Sequence, residues 1–152
     1  MDINEYRPRE VFAPLHARKQ RWAVMVAHRR AGKTVAMCVD IMVSALRCSH
    51  PKPQFAYLAP FRDQAKKVAW KPNESELIIT IKNEAGGESR IFVGGADHPD
   101  SYRGMYFDGV VLDEVGQIRP SAWYSVLRPS LSDRLGWAIF AGTPSGKNFF
   151  GK

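Results

Sequence analysis

The chain has 152 residues, of which 45% are hydrophobic, 11% aromatic and 24% charged. That balance excludes disorder, collagen and coiled coil and fits one folded domain with a single core. Lys and Arg number 22 and Asp and Glu 15, a net charge of +7 that favours polyanionic partners such as nucleic acid and is silent about fold.

The segment at 1–10 is charged, and the longest apolar run, at 35–46, is interrupted by Asp40. Neither a secretory leader nor a membrane span is expected. Cys38 and Cys48 lack CxxC spacing and read as reduced core thiols of an intracellular protein. In chain order, 22–27 (WAVMVA) is a short apolar run expected to form a strand buried on both faces. A helix follows over 33–47, apolar on nearly all sides and therefore expected to be buried. The segment at 54–59 (QFAYLA), between Pro53 and Pro60, is a second strand, and 62–70 (RDQAKKVAW) has helical composition. Residues 76–81 and 90–93 flank NEAGGES, whose Asn and Gly residues suit a hairpin connection. The run at 109–112 (GVVL) is a third apolar strand, 120–127 a short helix with Ser121 near its cap, and 137–141 (WAIFA) the last strand. Strands alternating with helices predict an α/β fold with a mostly parallel central sheet, whose functional edge lies at the carboxyl ends of the strands.

Three clusters carry chemistry, each placed just after a predicted strand. The first is Ala27-His28-Arg29-Arg30-Ala31-Gly32-Lys33-Thr34, which matches GxxxxGK[ST] except that Ala27 replaces the first glycine. A phosphate needs inward-pointing N–H groups, a helix amino terminus, a lysine for its β and γ oxygens, and a hydroxyl for magnesium. Gly32, Lys33 and Thr34 supply these parts. The alternative is an ordinary basic turn, although adjacent arginines repel each other unless an anion lies between them. The second cluster is Asp113-Glu114, at the end of an apolar strand. Adjacent side chains at a strand end diverge, so Asp113 could order a Mg2+ ion while Glu114 polarises an attacking water. A solvated strand end is the bland alternative. The third is Thr143, in AGTPSG, placed to sense a γ-phosphate; a plain Gly-Thr-Pro turn competes with it.

Together these segments resemble the ATPase domain of tailed-bacteriophage terminase large subunits. QRWAVMVAHRRAGKT resembles that family's departing Walker A loop, and FAYLAPFRDQAKKVAW its second strand and helix. SYRGMYFDGVVLDEVGQ resembles its arginine-glycine segment and Walker B, and LRPSLSDRLGWAIFAGTPSGKNFF the stretch ending in its coupling motif. The resemblance implies a three-layer P-loop NTPase of the ASCE type, spanning 1–152 as a single ATPase domain without the family's RNase H-like nuclease domain. ATP and Mg2+ are the implied cofactors. The implied partners are double-stranded DNA, further copies in a homo-oligomeric ring, the small terminase subunit and the portal, in the cytoplasm of a bacterial host. By position, Arg29 matches a loop arginine that contacts the γ-phosphate and Glu114 the catalytic glutamate. Arg103 matches an arginine proposed to enter a neighbouring subunit's site, and an ion pair with Asp100 or Asp108 is its alternative. The stretch between Trp70 and Asn73 reads as shorter than the family's.

Other residues are less specific. The four histidines lack metal spacing. Arg18, Lys19 and Arg21 form either a solvated basic face or a DNA phosphate track, and Phe12, Pro14 and His16 are candidates for an adenine pocket. Competing functions are a helicase-like or DNA-repair P-loop ATPase, or a truncated prophage remnant that binds DNA without turnover. Intact Lys33, Thr34, Asp113 and Glu114 argue against the remnant.

Overall fold

A computed structural model describes residues 5–66 and 77–144. Six strands, β1 (Trp22–Val26), β2 (Gln54–Ala59), β3 (Leu77–Lys82), β4 (Glu88–Gly95), β5 (Gly109–Leu112) and β6 (Trp137–Gly142), form one sheet of order β1-β6-β5-β2-β4-β3. All neighbours pair in parallel except β3 and β4, which form the expected antiparallel hairpin. Its turn is closed by the Asn83 side chain, whose Oδ1 accepts the Gly87 N–H at 2.9 Å, while Gly86 takes φ +84°, a conformation glycine adopts without steric cost.

Alternation along the strands divides the core into two layers. Phe55, Tyr57, Ala59, Ile91, Val93, Val111 and Ile139 face α2 (Lys33–Arg47), which follows the short α1 (Ala13–His16), and meet its Ala36, Met37, Ile41 and Ala45. Ala56, Leu58, Val110, Leu112 and Ala138 face the opposite way. There they meet Ala122, Trp123 and Leu127 from an unbroken helical run of Pro120–Ala122, a π-helical turn Trp123–Leu127, and Arg128–Ser130. The fold is thus a three-layer α/β sandwich, as predicted. Of α2, Thr34, Val35 and Arg47 are exposed, so its expected burial holds. Pro120 begins the later run at a position where the absent N–H costs nothing. The cap position there is Arg119, which makes no side-chain cap bond. The predicted helix at 62–70 is helical over Arg62–Lys66; its remainder and the proposed shortening between Trp70 and Asn73 lie outside the described residues.

The expectation for the first strand is overturned. β1 lies at the sheet edge, with Met25 7% exposed but Trp22 41%, Val24 66% and Val26 54%. The run has the composition of a strand covered on both sides. Length and composition do not reveal that the second face of an edge strand extends past the helices that cover β5 and β6.

Gly109 is required by close approach. It stands in register between Phe55 and Trp137, whose rings meet at 6.1 Å, and a Cβ there would overlap the Trp137 ring. Gly109→Ala should therefore lower stability by about 1–3 kcal/mol through overpacking, measured by urea unfolding. Val24→Thr, on the exposed face of β1, should stay within about 0.5 kcal/mol.

Candidate functional site

The carboxyl ends of β1, β6 and β5 lie side by side and bring the three sequence clusters together. After β1 the loop runs through Ala27, His28, Arg29, Arg30 and Ala31 to Gly32, which caps α2 at φ +96° with no side-chain cap bond. The N–H groups of the first helical turn are thus left to an incoming acceptor. Arg30 also takes a left-handed conformation, φ 63°, and the side chains of His28, Arg29 and Arg30 are exposed on the outside of the loop. His28 Nδ1 lies 2.9 Å from the Arg29 carbonyl.

Lys33 folds back under this loop. Its side chain is nearly buried, 7% exposed, and its Nζ donates to the carbonyls of Ala27 at 2.7 Å and His28 at 3.1 Å, and to Thr143 Oγ1 at 3.2 Å. These bonds match the three protons of an ammonium group. Thr143 in turn donates through Oγ1 to Glu114 Oε1 at 3.0 Å, and its backbone N–H faces Glu114 Oε2 at 3.4 Å. A continuous hydrogen-bonded chain therefore runs from the loop lysine through Thr143 to Glu114. Glu114 itself sits in a left-handed conformation, φ 46° and ψ 48°, which turns it away from its neighbour Asp113 at the strand end.

Asp113 is held from two sides. Its Oδ1 accepts the Glu114 N–H at 2.9 Å, and its Oδ2 accepts the Tyr57 hydroxyl at 2.6 Å. Burial pushes its carboxyl above the usual carboxylate range, opposed by the Tyr57 hydrogen bond and the Glu114 N–H, with the Glu114 charge adding to the rise. The Tyr57 hydroxyl is raised strongly, first by burial and then by the Asp113 charge, with the neighbouring Thr34 side chain opposing the rise. Sequence reasoning missed Tyr57; its one signal was a polar tip inside an otherwise apolar strand. Arg9 was missed too. Its Nη1 donates to the Ala31 carbonyl at 2.9 Å, and its guanidinium lies beside Gly32 with the Phe12 ring.

Other candidates fall elsewhere. Arg103 follows the turn Pro99–Tyr102 and pairs with Asp100, both side chains largely exposed. Asp108 instead pairs with His50 and Arg134. Tyr102 anchors the Arg103 segment by donating to the Gly95 carbonyl at 3.0 Å, over a surface where a Cβ on Gly94 would collide with it. Arg18 is no solvated phosphate contact: it is 11% exposed, bonds Asp40 at 2.8 Å and lies 4.7 Å from the Trp137 ring centroid. Arg21 Nε donates to the Gly136 carbonyl, while Lys19 stays exposed. His16 likewise turns to Asp40, at 3.1 Å, and to Tyr6, so Phe12 is the member of the proposed adenine set that reaches the loop. Tyr6, His16, Arg18, Asp40 and Trp137 line a cleft of about 650 Å³, built from residues that precede β1, lie on α2 and begin β6.

A glycine-capped loop feeding a buried helix, with β6 inserted between the loop strand and the strand ending in Asp113 and Glu114, defines a P-loop NTPase of the additional-strand class. Within that class, the chain is similar to the terminase large subunits of bacteriophages, over their ATPase domain. It is 30% identical to the terminase large subunit of Thermus phage G20c across 95% of its own length, and spans 35% of that relative. The large terminase ATPase domain of Thermus phage P74-26 superimposes with a TM-score of 0.79 at 25% identity, covering 97% of this chain and 69% of that one. The large terminase of another thermophilic bacteriophage, in complex with ATP-gamma-S, shares the fold, with a TM-score of 0.67 at 17% identity over 90% of this chain and 37% of that chain. No family model matches the chain.

Cys38 lies on the sheet-facing side of α2, where burial and then the Asp113 charge push its thiol up to about 11. At pH 8 the thiolate is therefore scarce, and iodoacetamide should label Cys38 at least about tenfold more slowly in the folded than in the denatured chain. Peptide mass spectrometry checks this; equal rates would contradict the packing described.

Proposed function

We propose that the chain is the ATP-hydrolysing motor domain of a DNA-packaging terminase, coupling ATP turnover to translocation of double-stranded DNA into a capsid. The observation that carries the reading is the Lys33–Thr143–Glu114 chain at the carboxyl edge of adjacent parallel strands. It joins the group that meets the phosphates to the group that activates water.

The residues fit the ligands this function requires. Lys33 is held by carbonyls that phosphate oxygens could replace, and the uncapped α2 amino terminus offers N–H donors beside it. The Thr34 hydroxyl and the Asp113 carboxylate would hold Mg2+, which would neutralise charge developing on the phosphate oxygens. Glu114, turned away from Asp113, accepts a proton from the attacking water. Thr143 loses its Lys33 partner when that lysine turns to phosphate, so the orientation of Glu114 becomes dependent on an occupied loop. Arg29, exposed on the loop, reaches a γ-phosphate from outside, and Arg103, displayed on an exposed turn, serves a neighbouring subunit of a homo-oligomeric ring. The small terminase subunit and the portal are the further partners of that assembly, in the host cytoplasm. No helix among the described residues is long and apolar enough to cross a membrane.

Lys33→Ala should abolish ATP binding in calorimetry, since it removes the charge that the loop amides do not supply. Glu114→Gln should retain ATP binding and lose about 10²–10⁴-fold in hydrolysis. Wild-type turnover by Glu114→Gln would remove the catalytic assignment. A site completed in trans makes specific ATPase activity rise with protein concentration, and Arg103→Ala should flatten that rise. Concentration-independent activity in both proteins would exclude the trans role.

A further inference from the structure

Tyr57 lies in β2, between β4 and β5 and opposite Val111, with 2% of its surface exposed. Its ring belongs to the apolar layer beneath α2, yet its hydroxyl emerges where the phosphate loop and the β5 carboxylates meet. A phenol has one proton. Here that proton goes to Asp113 Oδ2 at 2.6 Å, and the Thr34 side chain is a neighbour of the same hydroxyl. Asp113 is thus fixed with one oxygen on Tyr57 and the other on the Glu114 N–H.

We infer that Tyr57 is a positioning residue for the divalent-cation site, its hydroxyl setting the rotamer of the Asp113 carboxylate that would hold the ion together with Thr34. This deepens the nucleotide-hydrolase reading and rests on it. Tyr57 is not itself a ligand in this reading; it acts through Asp113. Three elements supply the arrangement: β2 the tyrosine, β5 the aspartate and α2 the threonine. A phenylalanine would fill the same space and leave Asp113 held by the Glu114 N–H alone. Groups that orient metal ligands in this manner typically change metal affinity by about 10–100-fold when removed.

The test compares the wild-type chain with Tyr57→Phe, using Mn2+ as the probe. Electron paramagnetic resonance measures free Mn2+ during titration of the ADP-saturated chain, and calorimetry in EDTA measures ADP binding without metal. The expected result is Mn2+ affinity about 10–100-fold weaker in Tyr57→Phe, with metal-free ADP affinity and circular dichroism unchanged. Phe55→Leu, which disturbs the same buried layer two residues away and keeps the hydroxyl, should leave Mn2+ affinity as in the wild type. Equal or tighter Mn2+ binding by Tyr57→Phe overturns the inference, and so does an equal loss in Phe55→Leu, which would assign the effect to packing. A wild-type chain that binds no ADP with or without Mn2+ would instead overturn the nucleotide reading on which the inference stands.

Discussion

A lysine side chain almost withdrawn from water, its nitrogen bonded to two carbonyls and a hydroxyl, is the constraint around which this fold is arranged. An ammonium group so placed must have its protons accepted, because leaving them unmatched in a low-dielectric setting costs several kcal/mol. The sequence meets that demand with backbone. The loop from Ala27 to Gly32 folds over Lys33 so that successive carbonyls point inward, which requires a left-handed turn at Arg30 and another at Gly32. The third acceptor comes from the end of β6, which is why the strand beside β1 has to be followed by a small hydroxyl residue.

The same geometry bears on the proposed nucleotide-filled state. Phosphate oxygens are better acceptors for an ammonium group than amide carbonyls, since both partners are then charged. In that proposed state the lysine would leave Thr143, and Thr143 would keep Glu114 as its partner. The left-handed conformation of Glu114 is an uncommon one for a residue with a side chain. It separates two adjacent carboxylates at a strand end, Asp113 into the layer beneath α2 and Glu114 toward β6.

Much of this was legible in the sequence because it is local. A GKT after an apolar run, a DE after another and a GT after a third are each contained within eight residues, and the α/β alternation fixed which edge of the sheet they would share. What escaped detection depends on partners far along the chain. Arg18 sits in a run of charge that resembles a wet surface, but Asp40, 22 residues on, turns it inward beneath Trp137. Tyr57 could have been a space-filling ring; its role follows from the adjacency of β2 and β5, with Asp113 56 residues away. The exposure of β1 was hidden for the same reason, since membership of a sheet edge is a property of strand order and not of strand composition.

That exposed edge bears on how copies of the molecule meet. The outer side of β1 has no strand beside it among the described residues, and it is flanked by Trp22, Val24 and Val26, the kind of rim on which another strand can grow. Cationic residues stand at both ends of it, Lys19 and Arg21 before the strand and Arg29 and Arg30 after it. They act as gatekeepers: two such rims brought together would juxtapose like charges, and the repulsion holds them apart while ionic strength is low. Salt shortens the reach of that repulsion, and a bound polyanion cancels it. Colloidal stability of the molecule is therefore tied to these charges, and concentrated salt is the condition under which its rim is least protected.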